Sequence, residues 1–212
     1  MNLSDYIYHE EPSGVIYCGD CLEILPLLKD KNIDLILTDP PYGLDKRLSQ
    51  GGGKHRYAKF RLGYVGQNWD KKITDRHFEE MFNNSKNQII WGANYYTMPP
   101  SRGIICWDKG NHLPTFSQWE YAWTSFDCPA KLYSIRNGED ERCHPTQKPL
   151  KLFLEVLNEF SNRNDLILDP FLGSGTTAVA AKQLGRKYIG IEICEAYCKI
   201  AVERLRQEEL AL

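Results

Sequence analysis

Short apolar runs alternate with amphipathic stretches along most of the chain. Val15-Ile16-Tyr17-Cys18 reads as a short strand ended by Gly19-Asp20, and Cys21 to Leu28 follows with Leu22, Ile24, Leu25 and Leu28 at near-helical spacing. Ile33 to Leu37, rich in branched side chains, has the character of a buried parallel strand. Strand, helix, strand in that order predicts a parallel sheet. The pattern resumes with a helix over Asp75 to Phe82 and a strand over Gln88 to Gly92. Gly103 to Trp107 and Trp119 to Trp123 are two more strands, expected as a terminal pair that includes an antiparallel edge. Leu150, Phe153, Leu154, Leu157 and Phe160 mark the buried face of a helix. Asp165 to Leu168 is a strand, Asp169 to Gly175 a tight turn, and Thr176 to Leu184 an alanine-rich helix closed by Gly185. Lys187 to Ile191 is a strand ending at Glu192, and Glu195 to Arg206 a last helix. Residues 1–13 read as an arm or edge, and 43–70 and 125–143 as irregular. With no repeat and no linker, residues 1–212 form one α/β domain.

Two of the strand ends carry chemistry. After Leu37 come Thr38-Asp39-Pro40-Pro41-Tyr42. The prolines fix φ, lack an N–H and push the preceding residue to an extended conformation, so the strand stops and Asp39 is held at its carboxyl end. A carboxylate, the Pro40 carbonyl and an aromatic ring two residues later suit a planar group bearing an exocyclic amine. The second is Asp169-Pro170-Phe171-Leu172-Gly173-Ser174-Gly175-Thr176-Thr177. Glycines there let backbone approach a ligand, and the helix N-terminus presents free N–H groups. Glu192, at the end of the next strand, is placed to accept hydrogen bonds from both ribose hydroxyls of a nucleoside. Ala178 stands where a dinucleotide fingerprint has its third glycine, which disfavours a nicotinamide enzyme.

Composition narrows the class. The chain has 212 residues, 42% of them hydrophobic, enough for a sizeable core. No apolar run approaches the roughly 20 residues that span a bilayer, and the first residues lack the charge and apolar core of a signal peptide. Seven scattered cysteines point to reduced thiols, hence a cytoplasmic protein. The net charge of −2 rules out a general polycation, so any nucleic-acid contact is local. The candidate patch lies in 43–70, where Lys46, Arg47, Lys54, Arg56, Lys59 and Arg61 surround Gly51-Gly52-Gly53, with Tyr57, Phe60, Tyr64 and Trp69 interleaved. Such a loop tracks phosphates and stacks on bases, and a sheet's carboxyl edge is where ligands sit.

Asp-Pro-Pro-Tyr at 39–42, His-Pro-Thr-Gln-Lys-Pro at 144–149 and Asp-Pro-Phe-Leu-Gly-Ser-Gly-Thr-Thr at 169–177 together resemble the amino-DNA methyltransferases. The order, acceptor motif before cofactor motif, is similar to their β group, in particular to short phage-borne or restriction-modification adenine enzymes. The likeness runs from about residue 15 to 206. It implies a Rossmann-like, seven-stranded, mostly parallel sheet entered at its third strand, so that Asp20 lies beside Glu192. The implied cofactor is S-adenosylmethionine. Asp20, with Cys21 next to it, would hold the adenine amine and Glu192 the ribose. Asp169, Phe171, Gly173, Ser174, Gly175 and Thr176 would line the methionine part, and Gln147 and Lys148 would approach its carboxylate. Asp39 and the Pro40 carbonyl, with Pro41 and Tyr42 completing the motif, would accept the two N–H groups of an adenine N6 amine. Tyr42 would stack on that base, flipped out of double-stranded DNA.

Other readings are cytosine N4 as the methylated amine, an RNA or protein-glutamine acceptor, and a non-catalytic DNA-binding subunit that keeps the fold. Basic loop 43–70 and segment 125–143 are the expected DNA-contacting, target-recognition loops. They are small for that task, so either specificity is short or a homodimer partner contributes. Cys18, Cys21, Cys194 and Cys198 have acceptable spacing for zinc, but Cys18 and Cys198 read as core, and no metal is assigned. His112 and His144 read as loop residues, Trp107-Asp108-Lys109 as a strand closed by an ion pair ahead of a place near the target base, and Trp91 and Tyr95-Tyr96 as packing ahead of base contacts.

Overall fold

The computed structural model describes residues 2–43, 72–110, 117–136 and 147–209. Strand β1 (Ile7–Glu11) folds back antiparallel on β2 (Gly14–Cys18). Helix α1 (Cys21–Ile24), N-capped by the Asp20 carboxylate on the Leu22 N–H, runs into a 3-10 segment (Leu25–Lys31). There Pro26 interrupts the helical bonding that the leucine spacing alone predicts. Then come β3 (Ile33–Thr38), α2 (Asp75–Asn84), β4 (Ser85–Trp91), β5 (Ile104–Asp108), β6 (Trp119–Thr124) and β7 (Lys131–Ser134). The last stretch is α3 (Leu150–Phe160), β8 (Leu166–Asp169), α4 (Thr176–Gln183), β9 (Lys187–Glu192) and α5 (Glu195–Glu209).

The sheet order is β1-β2-β9-β8-β3-β4-β6-β5-β7, with β2, β9, β8, β3 and β4 mutually parallel and β6 antiparallel to its neighbours. The expected seven strands are all there, but among the described residues the sheet has nine, one added at each edge. β1 is the arm: its mixed polar and aromatic residues suit a half-exposed edge, and Pro12-Ser13 turns it back onto β2. β7 falls in the segment expected to be irregular. Four residues are too few for a period-two signal, and β7 pairs parallel with β5 outside it, so β5 and β6 are not the terminal pair.

Both faces of the sheet are covered. On one, Leu35 and Leu37 of β3 pack with Phe153, Val156 and Leu157 of α3 and with Ala178 to Ala181 of α4. On the other, Ile36 meets Ile24, Leu25, Leu28, Phe78 and Met81. Alanines let α4 lie close to the sheet and to α5. A Cβ at Gly175 would stand 2.8 Å from the Cβ of Ala201, and its φ of +87° is one that glycine adopts without strain.

β3 and β8 are adjacent and parallel, so the two chemical turns emerge at the same sheet edge, at the point where the chain order reverses. A buried polar joint fixes them to each other. Asp169 accepts from Thr38 Oγ1 (2.7 Å), from Thr177 Oγ1 (2.5 Å) and from the Phe171 N–H (3.0 Å). Burial pushes the Asp169 carboxyl up to about 6, against these three donors. Expected on the cofactor, Asp169 works from behind the turn, holding its shape.

Candidate active site

Asp39 follows β3, and two side chains meet its carboxylate. The Tyr42 hydroxyl donates to Oδ1, and the Lys148 ammonium lies 2.5 Å from Oδ2. Lys148 also reaches Glu120 of β6 at 3.1 Å, and Glu120 is paired in turn with Lys109, just beyond β5. The chain of alternating charges is Asp39, Lys148, Glu120, Lys109. Burial and then the Glu120 charge push the Asp39 carboxyl up, while Lys148 and the Tyr42 hydroxyl pull it down. Glu120, between two ammonium groups, is held at about 2 in spite of its burial. Lys148 keeps its proton, because two carboxylates outweigh the cost of burying it.

The Tyr42 ring is placed by the loop after β4. Gly92, with φ +68°, passes so close that a Cβ would come within 2.1 Å of Tyr42 Cε1. Tyr95, in a 3-10 turn (Ala93–Tyr95), stacks on Tyr42 with centroids 4.6 Å apart and planes at 20°. The Tyr96 hydroxyl donates to the Pro41 carbonyl at 2.6 Å. Gly92→Ala therefore forces an L residue into a left-handed backbone and drives Tyr42 from its place. We expect a loss of turnover of about 100-fold, the usual scale for an ångström of misplacement. Cofactor affinity in the same protein, measured by calorimetry, should be unchanged, because the glycine turn lies on other elements.

That turn is held from both sides. The Gly173 N–H donates to Glu192 Oε2 at 2.8 Å, and the Cys194 N–H to Oε1 at 2.8 Å. Each oxygen keeps a second acceptor site. Around Gly173, with φ +53°, nothing lies within 4 Å of where a Cβ would project, so the backbone there faces open space. Cys18 pairs with Glu192 across β2 and β9, which brings the exposed Asp20 to the same edge as the acid. Ile193, beside Glu192, is 64% exposed, an apolar surface presented at this edge. Phe171 packs against His77 of α2, with ring centroids 6.1 Å apart. The Ser174 hydroxyl lies 3.3 Å from Gln147 Oε1, and Arg204 of α5 donates to the Ser174 carbonyl (2.7 Å) and to Thr176 Oγ1 (3.1 Å). Cys21 is buried below Asp20, its thiol pushed up to about 12 by desolvation.

The structure thus brings Asp20, Phe171, Gly173, Ser174, Gly175, Thr176 and Glu192 to one end of the sheet, with Asp39 and Tyr42 beside them. Gln147 abuts the glycine turn. Lys148, expected near a cofactor carboxylate, has its ammonium on Asp39 and Glu120. Lys46, Arg47, Lys54, Arg56, Lys59 and Arg61 lie outside the described residues, as do His112, His144 and residues 137–143. Among the described residues no group of three or more His, Cys, Asp or Glu side chains is placed to hold a metal ion, and no helix is long and apolar enough to cross a membrane.

Glu120, Gly92 and Arg204 carry no candidate role in the sequence, and Tyr95 reads there as packing ahead of a base contact. For Glu120 a signal existed, since it shares a strand face with Ala122 and Thr124, both fully buried. A charge at a core-facing strand position asks for a partner. Arg204 lies in a helix where the charges of Glu195, Lys199, Glu203 and Arg206 are exposed, and nothing local marks it.

An open α/β sheet with a carboxylate turn and a glycine turn side by side defines a nucleoside-cofactor enzyme acting on a polar group. A family model described as DNA methylase (N6_N4_Mtase) matches residues 71–203, and the chain belongs to that family. It is similar to the Type II methyltransferase M.HinfI of Haemophilus influenzae, 28% identical over 271 residues, which cover 97% of this chain and 70% of that protein. Type II methyltransferase M2.MboI of Moraxella bovis is 28% identical over 244 residues, covering 91% and 87%. Among solved structures, the M1.HpyAVI–SAM complex aligns with a TM-score of 0.59 at 25% identity, covering 90% of this chain and 98% of that one. The cytosine-N4-specific PvuII DNA methyltransferase has a TM-score of 0.66 at 18% identity, covering 94% and 88%, a likeness of fold.

Proposed function

We propose that this chain transfers a methyl group from S-adenosylmethionine to the exocyclic N6 amine of adenine in double-stranded DNA, with the base turned out of the helix. The observation that carries the reading is the Asp39 carboxylate, held by β3 next to the glycine turn and flanked by the Tyr42 ring. Family membership supports the class of reaction, and M1.HpyAVI, a structural relative, was solved with SAM. The open space at Gly173, the acids Asp20 just past β2 and Glu192 at the end of the neighbouring parallel β9, and the exposed Ile193 fit a nucleoside with an amino-acid tail.

Bound there, S-adenosylmethionine supplies an electrophilic methyl on a sulfonium sulfur. The chain's own work is positioning. An aromatic amine is a weak nucleophile because its lone pair is delocalised into the ring. Asp39 accepts one N–H and the Pro40 carbonyl the other, which favours a pyramidal nitrogen whose lone pair is aimed at the cofactor. Asp39 is suited to take the proton that the amine gives up. Tyr42 offers its ring to a base whose extrusion costs a few kcal/mol. No thiol takes part, and burial keeps Cys21 and Cys198 protonated.

Aspartate at the first position of the acceptor motif favours adenine, by resemblance to the adenine enzymes. Cytosine N4 is the second reading, since the same pair of acceptors serves either amine. The test is labelled methyl transfer to unmethylated duplex DNA followed by nucleoside analysis. N6-methyladenine is the expected product. N4-methylcytosine keeps the mechanism and changes the base, and label in RNA or protein alone overturns DNA as substrate.

A further inference from the structure

Tyr95 is where the site holds more than the acceptor motif requires. It is a large aromatic residue, 37% exposed, on a three-residue 3-10 turn. Its ring lies nearly parallel to that of Tyr42, at 4.6 Å between centroids. A base that stacks on Tyr42 needs a ring face, and Tyr95 covers one. The residues around it are fixed. Gly92 abuts the Tyr42 ring, the Tyr96 hydroxyl holds the Pro41 carbonyl, and Tyr96 packs edge-on against Phe78 at 5.1 Å. Tyr95 differs from its neighbour: its backbone N–H is tied to the Gly92 carbonyl, while its side chain lies at the surface, on the catalytic ring.

We propose that Tyr95 is the second wall of the slot for the target base: its ring occupies the Tyr42 face in the free protein and swings out so that the flipped base stacks between the two phenols. The inference rests on the DNA reading above. Its geometric demand is modest. Aromatic planes pack at roughly 3.5 Å, so admitting one base doubles the spacing of the pair. An exposed side chain meets that by rotating about its own bonds, while Gly92 and Tyr96 keep the backbone in place. The free protein thereby keeps an apolar slot closed to water, and the ring that closes it becomes a surface for the base. Because every base has a π-face, this wall adds affinity for an extruded base without choosing adenine over cytosine. That choice stays with Asp39 and the Pro40 carbonyl.

The test uses the full chain, with Tyr95→Ala, Tyr95→Leu and Tyr95→Phe, on duplex DNA carrying the target site mapped for the unaltered protein. Methyl transfer is measured alongside cofactor affinity and the emission of 2-aminopurine set at the target position. Tyr95→Ala and Tyr95→Leu should lose about 10- to 100-fold in kcat/KM for DNA, the scale of one base–aromatic stack. Cofactor affinity should stay within twofold, which also shows that the variants are folded. Tyr95→Phe, which keeps the ring, should retain activity within about threefold. Bound 2-aminopurine should be brighter in Tyr95→Ala, because one stacking ring is gone. Unchanged kcat/KM and emission in Tyr95→Ala overturn the inference and leave the DNA reading intact. A Tyr95→Leu protein as active as Tyr95→Phe overturns it too, since bulk alone then suffices. If the unaltered chain methylates no DNA, the substrate reading falls and takes this inference with it.

Discussion

Replacing Asp39 by alanine should reduce methyl transfer by at least about 1,000-fold and leave cofactor affinity within twofold. The size follows from the role: removal of one preorganised charge-stabilising group in a desolvated site costs about 100- to 1,000-fold in kcat. Here the group also takes up the proton. The selectivity follows from the architecture. The cofactor turn is held by hydrogen bonds of its own, to Glu192, Gln147 and Arg204. The fold should survive because Lys148, deprived of Asp39, keeps Glu120 at 3.1 Å. A buried ammonium left with no partner would be costly, and this one is not left alone. Asp39→Asn should fall less far, since its amide oxygen still accepts an N–H while its N–H₂ turns to the Tyr42 hydroxyl oxygen, and what it loses is the charge that takes up the proton. Equilibrium binding of the cofactor and single-turnover transfer on the same preparations decide the matter. If affinity and rate fall together, Asp39 shapes the site as a whole and is not the amine's acceptor.

The acceptor motif was legible because proline writes its consequences locally. Two consecutive prolines stop a strand wherever they stand, so Asp39 at a strand's end followed from five residues of sequence. The glycine turn was legible for a like reason: a strand, two glycines and an alanine-rich helix leave few arrangements. The side-by-side placement of the two turns depended on strand order, and came from the resemblance, not from the residues. What stayed hidden is long-range. Lys148 lies 109 positions after Asp39, and its ammonium has two carboxylates within reach. A basic residue in a motif next to the cofactor turn is naturally read as facing the cofactor, because sequence says nothing of a side chain's direction. Tyr95 was visible as a base contact only in second place: aromatic residues after a strand are so often packing that its exposure and its stacking partner are what set it apart. At the edges, β1 and β7 were too short or too polar for their alternation to register.

Lys148→Met should lower the rate about 100-fold at neutral pH and move the acidic limb of the pH–rate profile to higher pH. Burial and the Glu120 charge raise the Asp39 carboxyl, and Lys148 is the strongest opposing influence. Without it the carboxyl rises further, and only its ionised form accepts the amine, so the variant should recover as pH increases. The stability effects run the same way. A carboxyl whose folded pKa is raised favours the fold while protonated, and that advantage, complete below its unfolded pKa, is lost as pH rises through the folded one. The variant should therefore be least stable where it is most active. In the unaltered protein Glu120 does the reverse. Held at about 2, it stabilises the fold above the usual carboxylate range and loses that contribution as pH falls towards 2. Lys148 is buried but its two partners are only partly so, and removing the shared cation should cost less than the roughly 3–5 kcal/mol of a fully buried pair. Adding Glu120→Gln should return part of it, because the like charge beside Asp39 is then gone. A Lys148 that served the cofactor carboxylate would behave otherwise: its loss would raise the KM for the cofactor at every pH and leave the limb where it was. A pH series of kcat and of both KM values on Lys148→Met, alone and with Glu120→Gln, separates an ammonium that tunes the acceptor from one that binds the methyl donor.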